Sequence, residues 1–401
     1  MKVAVAHNLP TGGAVRVMVE WLARTDAQEL TLYTRDTAVH EFAALPAHVR
    51  VVERPLRRGG AAIDEIVRLS RSPHDGARLA REIDAAGYDV VFCFASVLTQ
   101  ALDVLPFLRT PNLFYAPEPL RSAYEPPELL EIAPGWRGRI TRLGINPIEI
   151  RRRRLDRRYI RAAQRIVTHS SFTREVLRDV YAVDSDVVHL GVDADVFTPG
   201  TQPRGDYVLS VGALHPLKGH DLVIEALATL PAPRPRLVLI GDRGGSEAML
   251  RRLAGDLDVE LEILTKLPLA EVVDVYRGAG VVACAQIREP FGLVPLEAMA
   301  CATPVVAVAD GGFRETVRDG QTGLLVAREP RALGAAIARV LGDRMLATRL
   351  GETARATVER DWTWERTTAG FDRLLGELAG ERTSVLTPGS AGGDRGREAL
   401  R

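Results

Sequence analysis

Two glutamates, Glu289 and Glu297, stand eight residues apart in the string EPFGLVPLE. Between them, Phe291-Gly292-Leu293-Val294 forms a stretch without bulky polar side chains, and Pro295 suits the first turn of a helix. The pattern predicts a short helix over Val294–Cys301 that follows a strand. The first N–H groups of such a helix lack intrahelical partners and point back at the loop, which makes a site for an anion such as a diphosphate. One carboxylate could then meet one end of a bound nucleotide-sugar and the second the other end. A glutamate in an N-terminal turn is also favoured by the helix dipole alone, so Glu297 by itself decides nothing. Near the N-terminus, Pro10-Thr11-Gly12-Gly13 separates a strand from a helix. A Gly-Gly pair there permits close backbone approach to a phosphate, or simply a left-handed turn. Lys218 is one of only three lysines among 52 basic residues, and it stands directly before a glycine and a helical pattern.

Elements that would position these groups follow one scheme along the chain. Short apolar runs predict strands at Val3–Ala6, Leu30–Thr34, Val51–Glu53, Val90–Phe94, Leu113–Tyr115, Arg165–Thr168 and Val187–His189. A second series falls at Tyr207–Val211, Leu237–Ile240, Val259–Ile263, Val281–Ala283, Pro304–Val308 and Gly323–Val326. Helical patterns intervene, as at Ala14–Ala23, Asp221–Leu230, Leu269–Arg277 and Arg331–Val340. Buried strands alternating with helices imply parallel sheets covered on both faces, and two series imply two doubly wound α/β domains. The joint falls in the Pro/Gly-rich FTPGTQPRG, Phe197–Gly205. A last helix is predicted over Trp362–Leu378, followed by an aperiodic, disordered tail over residues 380–401.

The chain has 401 residues, 46% hydrophobic and 26% charged, with 52 basic and 52 acidic side chains. That composition excludes a disordered or fibrous protein, and the zero net charge gives no global bias toward nucleic acid. Cys93, Cys284 and Cys301 sit in apolar runs, which excludes a disulfide scaffold and implies a reducing compartment. MKVAVAH reads as a strand rather than a secretory signal, and no run of about 18 apolar residues predicts a membrane span. A cytoplasmic location is expected. The Arg137–Arg165 segment holds 11 arginines against Glu149 and Asp156. It reads either as a solvated helix face or as a basic surface for anionic lipid, with isoleucines and Trp136 adding shallow apolar contact; nucleic acid is the weaker option.

The string EPFGLVPLEAMACATPVVA resembles the E-x7-E signature of the retaining family 4 glycosyltransferases, which have the GT-B fold. MKVAVAHNLPTGGAVRVMVEWLAR, THSSFTREVLRDVYAV, VVHLGVDADVFTP, VGALHPLKGHDLVIEAL and DGGFRETVRDGQTGLLV resemble further ordered motifs of that family, and together they cover residues 1–378. The resemblance implies an acceptor-side domain over residues 1–199, a nucleotide-sugar domain over 200–361 and a helix over 362–379 crossing back to the first domain. By position, Glu297 would bind the ribose hydroxyls, Glu289 the donor sugar, and Lys218 the diphosphate. The amides of Gly292, Leu293 and Val294 beside Phe291, with Gly212 and with Gly12 and Gly13, would complete the donor site. The expected reaction moves a hexose from a nucleoside diphosphate sugar to a hydroxyl of a glycan, lipid or small molecule. It needs no metal or cofactor, and front-face attack would retain the anomeric configuration.

Two positions depart from the family pattern. An arginine usual after the Val-Gly of the second domain is Ala213 here, and His215 or Arg243 is the expected substitute. A histidine usual in the first domain is Pro117, which leaves Glu118 and Arg121 as acceptor-side groups, with Glu118 as a hydroxyl acceptor or as a structural partner of Arg121. These departures keep a nucleotide-sugar-binding relative without turnover in view, alongside a sugar epimerase of the same architecture. A Rossmann dehydrogenase fits less well, because no G-x-G-x-x-G follows the first strand.

Overall fold

A computed structural model describes residues 1–9, 12–35, 45–56, 64–124, 146–242 and 244–386. Among the described residues, thirteen strands build two parallel sheets. The first contains β1 (Lys2–Asn8), β2 (Glu29–Thr34), β3 (Arg50–Glu53), β4 (Val90–Ser96), β5 (Asn112–Tyr115), β6 (Arg165–Thr168) and β7 (Asp186–Val187), in the order β3-β2-β1-β4-β5-β6-β7. The second contains β8 (Val208–Val211), β9 (Leu237–Ile240), β10 (Leu261–Leu264), β11 (Val281–Cys284), β12 (Val305–Val308) and β13 (Leu324–Val326), in the order β10-β9-β8-β11-β12-β13. Each predicted run overlaps an observed strand, although only Val187 of Val187–His189 falls in β7 and Val259 lies ahead of β10; the central strands are the best matched, because a parallel strand covered on both faces must be apolar on both. β4 shows this most fully, with all seven residues of VVFCFAS buried.

In each sheet the strand order reverses once, between β1 and β4 and between β8 and β11. Helices on either side of such a reversal splay apart, and ligands bind in the crevice outside the carboxyl ends of the strands. Here the two crevices face each other.

The last helix differs from its prediction at both ends. It spans Trp364–Leu386, because Trp362 caps the preceding Arg344–Asp361 helix and Thr363 pairs with Val192 in a β-bridge. Backbones approach so closely there that a Cβ on Gly191 would lie 2.2 Å from the Thr363 carbonyl carbon. Residues 380–386, expected to be disordered, are therefore helical; residues 387–401 lie outside the described set. This helix packs on β4, β5 and the Gly13–Arg24 helix. Phe371 meets Phe92 and Tyr115 edge-on, and the Trp21 indole N–H donates to Asp372 at 2.8 Å.

The basic segment also departs from expectation. Its helix is Pro147–Ile160, capped by the Asn146 side chain, so it stops short of Arg165, which opens β6 as its strand pattern predicts. Arg152 pairs with Glu149 and Glu65, and Arg165 with Asp186 and Glu377. Arg153 and Arg157 lie over the Tyr124 ring and Arg158 over Phe107. Arg151, Arg154, Arg157 and Arg158 are exposed. Trp136 and residues 137–145 lie outside the described set.

Candidate active site

A cleft of ≈ 720 Å³ opens between the two sheets. Gly12 and Gly13 line it from the β1 side, and Glu118 and Arg121 from the segment after β5. Across it stand Gly212, Lys218 and Glu289, then Phe291, Gly292, Leu293 and Val294. The structure thus gathers these predicted groups into one cavity. Arg243 lies outside the described residues. Ala213, His215 and Pro117 also line the wall.

Local sequence explains how the second domain presents its groups. The predicted short helix forms as Leu293–Ala300, and Gly292 caps it at φ +108°, a conformation that side chains rarely adopt. A Cβ there would also lie 2.9 Å from the Phe313 ring. The loop before the helix rests on a second glycine pair. A Cβ on Gly311 would come within 2.3 Å of the Glu289 carbonyl oxygen, and one on Gly312 within 2.5 Å of the Phe291 Cα. Lys218 ends a single 3-10 turn, Pro216–Lys218, which the His215 side chain caps. Its ammonium donates to Glu289 Oε2 at 3.1 Å.

Glu297 is nearly buried and is fully engaged across the domain boundary. Its Oε1 lies 2.6 Å from Arg16 Nη1, and its Oε2 accepts from the Tyr276 hydroxyl at 2.8 Å. Burial works against the charge on Arg16, but Glu297 outweighs it and the guanidinium pKa is raised. Burial, followed by Glu297, pushes the Tyr276 phenol well up. Glu118 accepts from Arg121 Nε at 2.6 Å, so the structural pair is formed, and Arg121 Nη2 donates on to the Arg288 carbonyl at 2.9 Å.

Several groups at the site carry no local sequence signal. The Tyr115 hydroxyl and His169 Nδ1 lie 2.7 Å apart in the cleft wall. Burial, the largest influence, holds the His169 pKa down to about 3, so the imidazole is neutral. The Glu289–Gly292 loop is also clasped from the first domain. Ser170 and Thr173 hydroxyls donate to the Pro290 carbonyl at 2.5 and 3.1 Å, and His189 stacks on Phe291. Glu315 accepts from the backbone N–H groups of Ser171 and Phe172, both at 2.9 Å, and bonds His189. Arg16 could have been suspected, since it stands one helical turn behind Gly12. Tyr276, Glu315 and His169 come from elements far away in sequence, and no spacing links them.

The Glu315 clasp is acid-sensitive. Burial favours its neutral form, yet the bonds from His189 and the two backbone N–H groups outweigh this and its carboxyl titrates below its ordinary value. A lowered folded-state pKa contributes stability that is complete above the unfolded value, about 4.3, and is lost as pH falls through the lower folded value. The Tm difference between wild type and Glu315→Gln should therefore shrink as pH is lowered from 6 to 3. A difference that stays constant would dissociate the clasp from Glu315 ionisation.

Two doubly wound domains with their switch points facing one cleft define a GT-B architecture. Residues 11–196 match the family description "Glycosyltransferase Family 4", and residues 193–357 match "Glycosyl transferases group 1". The chain belongs to family 4 of the glycosyltransferases. It is 36% identical over 254 residues to a D-inositol 3-phosphate glycosyltransferase of Acidothermus cellulolyticus, covering 57% of this chain and 56% of the relative. The corresponding protein of Stackebrandtia nassauensis is 38% identical over 237 residues, 53% of each chain. The chain thus spans about half the length of the curated relatives it matches. Among solved structures, sucrose-phosphate synthase from Thermosynechococcus elongatus superposes with a TM-score of 0.72 at 21% identity, covering 95% of this chain and 100% of that one. Anabaena HepE in complex with UDP-glucose gives a TM-score of 0.65 at 19% identity, covering 96% and 100%.

Proposed function

We propose that the protein is a retaining glycosyltransferase that moves a hexose from a nucleoside diphosphate sugar to an acceptor hydroxyl. One observation carries this reading. Lys218, Glu289 and the N-terminus of the Leu293–Ala300 helix line the same cleft as the Gly12–Gly13 turn. In the proposed complex the diphosphate lies between that helix end and the Gly-Gly turn, with the Lys218 ammonium on its oxygens. Glu289 holds sugar hydroxyls and orients Lys218. Negative charge grows on the diphosphate as the glycosidic bond breaks, and fixed donors aimed at that charge stabilise the transition state most. The leaving phosphate takes the acceptor proton on the same face, which retains the configuration. Glu118 accepts a hydrogen bond from the acceptor. The reaction is proposed to be metal-independent; among the described residues no three His, Cys, Asp or Glu side chains cluster to hold an ion.

A thermal-shift screen against UDP-, GDP-, ADP- and dTDP-sugars, followed by donor hydrolysis in the presence of EDTA, tests the reading. Because HepE is solved with UDP-glucose, UDP-sugars come first. Stabilisation with turnover supports the transferase. Stabilisation without hydrolysis or transfer identifies a binding relative, and no shift with any donor removes the nucleotide-sugar site.

The acceptor is proposed to lie at an anionic membrane surface, facing the Pro147–Ile160 helix from the cytoplasmic side. Among the described residues no helix is long and apolar enough to cross a membrane. The exposed Arg151, Arg154, Arg157 and Arg158, with half-exposed Ile66 next in sequence to the Glu65 that pairs with Arg152, support peripheral contact. Each basic residue near such a surface contributes about 1 kcal/mol, and salt screens it. Anionic vesicles at low salt should therefore sediment more protein than neutral ones, and 0.5 M salt should release it. Equal sedimentation with both vesicle types would leave a soluble acceptor as the better reading.

A further inference from the structure

Among the described residues the cation count at the donor site is short by one. A nucleoside diphosphate sugar carries a negative charge on each of its two phosphates. Lys218 supplies one positive charge, already facing Glu289 at 3.1 Å. The position where the resemblance expects a second cation is Ala213. Arg121, on the acceptor side of the cleft, is engaged by Glu118 and the Arg288 carbonyl.

Arg16 is the guanidinium placed to make up the difference. It lies in the first turns of the Gly13–Arg24 helix, whose Gly13 and Ala14 line the cleft, and its side chain is 30% exposed. It rests on Glu297, the carboxylate assigned to the donor ribose. Neither Arg16 nor Glu297 itself lines the cleft; the pair sits directly behind the Gly12–Ala14 wall, where Arg16 holds one carboxylate oxygen and Tyr276 the other.

We propose that Arg16 is the second counter-cation of the donor diphosphate, parked on Glu297 until the donor ribose takes its place. The exchange preserves pairing at every stage. The ribose hydroxyls donate to the carboxylate oxygen that Arg16 leaves, and Tyr276 stays on the other. The released guanidinium is attracted to the phosphate oxygens, for which its planar fork is suited. Neither charge is left buried and alone, the arrangement that would cost most. Because Arg16 belongs to the first domain and Glu297 to the second, the exchange also makes both domains contribute to holding one donor.

The inference rests on the ribose role of Glu297, and the experiment separates the two. Affinities for UDP and for uridine, or for the diphosphate and nucleoside of the preferred base, are measured calorimetrically on wild type, Arg16→Ala, Arg16→Lys and Glu297→Ala. Arg16→Ala should weaken UDP binding about tenfold or more, as loss of a charged hydrogen bond implies. The same variant should bind uridine as well as wild type or better, because its Glu297 no longer has to give up a partner. Arg16→Lys should recover part of the UDP loss. Retained uridine binding shows that the Arg16 variants are folded, and a cooperative thermal melt shows it for Glu297→Ala. Equal weakening of both ligands would make Arg16 a mere support of Glu297 and overturn the proposal. Unchanged UDP affinity in Arg16→Ala, beside a weakened Glu297→Ala, would overturn it alone. Unchanged UDP affinity in Glu297→Ala would remove the ribose assignment and this inference with it.

Discussion

Replacing Lys218 with alanine is expected to lower kcat about 10²–10³-fold while leaving Tm nearly unchanged. That range is typical for removing one fixed donor that faces charge developing in the transition state. The ammonium is held from three sides. The Pro216–Lys218 turn aims it, Glu289 draws it into the cleft, and Gly212 lies against its stem, where a Cβ would come within 3.2 Å of Lys218 Cγ. Its side chain is 34% exposed, so losing it removes little packing. The loss should appear in kcat at saturating donor more than in donor KM, because the charge on the leaving diphosphate is larger in the transition state than in the ground state. A variant with unchanged kcat would show that another cation serves the leaving group, and attention would pass to Arg16 and Arg243.

Glu297→Ala is expected to weaken donor binding by roughly 1.5–3 kcal/mol, about tenfold or more, through loss of a charged acceptor for the ribose. It should also cost stability. The Tyr276 hydroxyl is fully buried and would lose its acceptor, and Arg16 would lose its ion pair. Arg16 is 30% exposed and can recover water, so the stability loss should stay near the cost of one unsatisfied buried group, about 1–3 kcal/mol. Glu297→Gln keeps the side-chain shape and separates the two effects. It should recover most of the Tm and only part of the donor affinity. If Glu297→Gln binds donor as tightly as wild type, charge on this side chain plays no part in nucleotide recognition.

The sheets were legible because the central strands are buried on both faces and therefore appear as apolar runs bounded by Gly, Pro or polar residues, while the edge strands β3, β7 and β10 are only partly covered. The Leu293–Ala300 helix and its glycine cap were legible for a local reason too, since cap, loop and both glutamates lie within nine consecutive residues. What stayed hidden is whatever two distant segments build together. Arg16 and Glu297 are 281 residues apart, and Ser171 and Glu315 are 144 apart. No periodicity within either segment reports such a pair. Element ends were legible only to within a few residues where tertiary contacts decide them: Trp362 and Thr363 fit a helical pattern, yet the bridge to Val192 draws them out of it. The Asp64–Ala85 helix carries Pro73 inside it, and read alone that proline would argue for a break.

The returning Trp364–Leu386 helix has a consequence for how the chain is made. A first domain is normally complete once its own residues have left the ribosome, and it can fold while the rest is still being synthesised. Here the first domain lacks one of its covering helices until nearly the whole chain is made. The face of β4 and β5 that carries Phe92 and Tyr115 is covered by Phe371, which is translated more than 250 residues later. Until then the nascent first domain presents an open aromatic surface. All strands of both sheets are made by Val326, before Phe371, so a ribosome stalled between them would display a chain with every strand present and the first sheet still awaiting its cover.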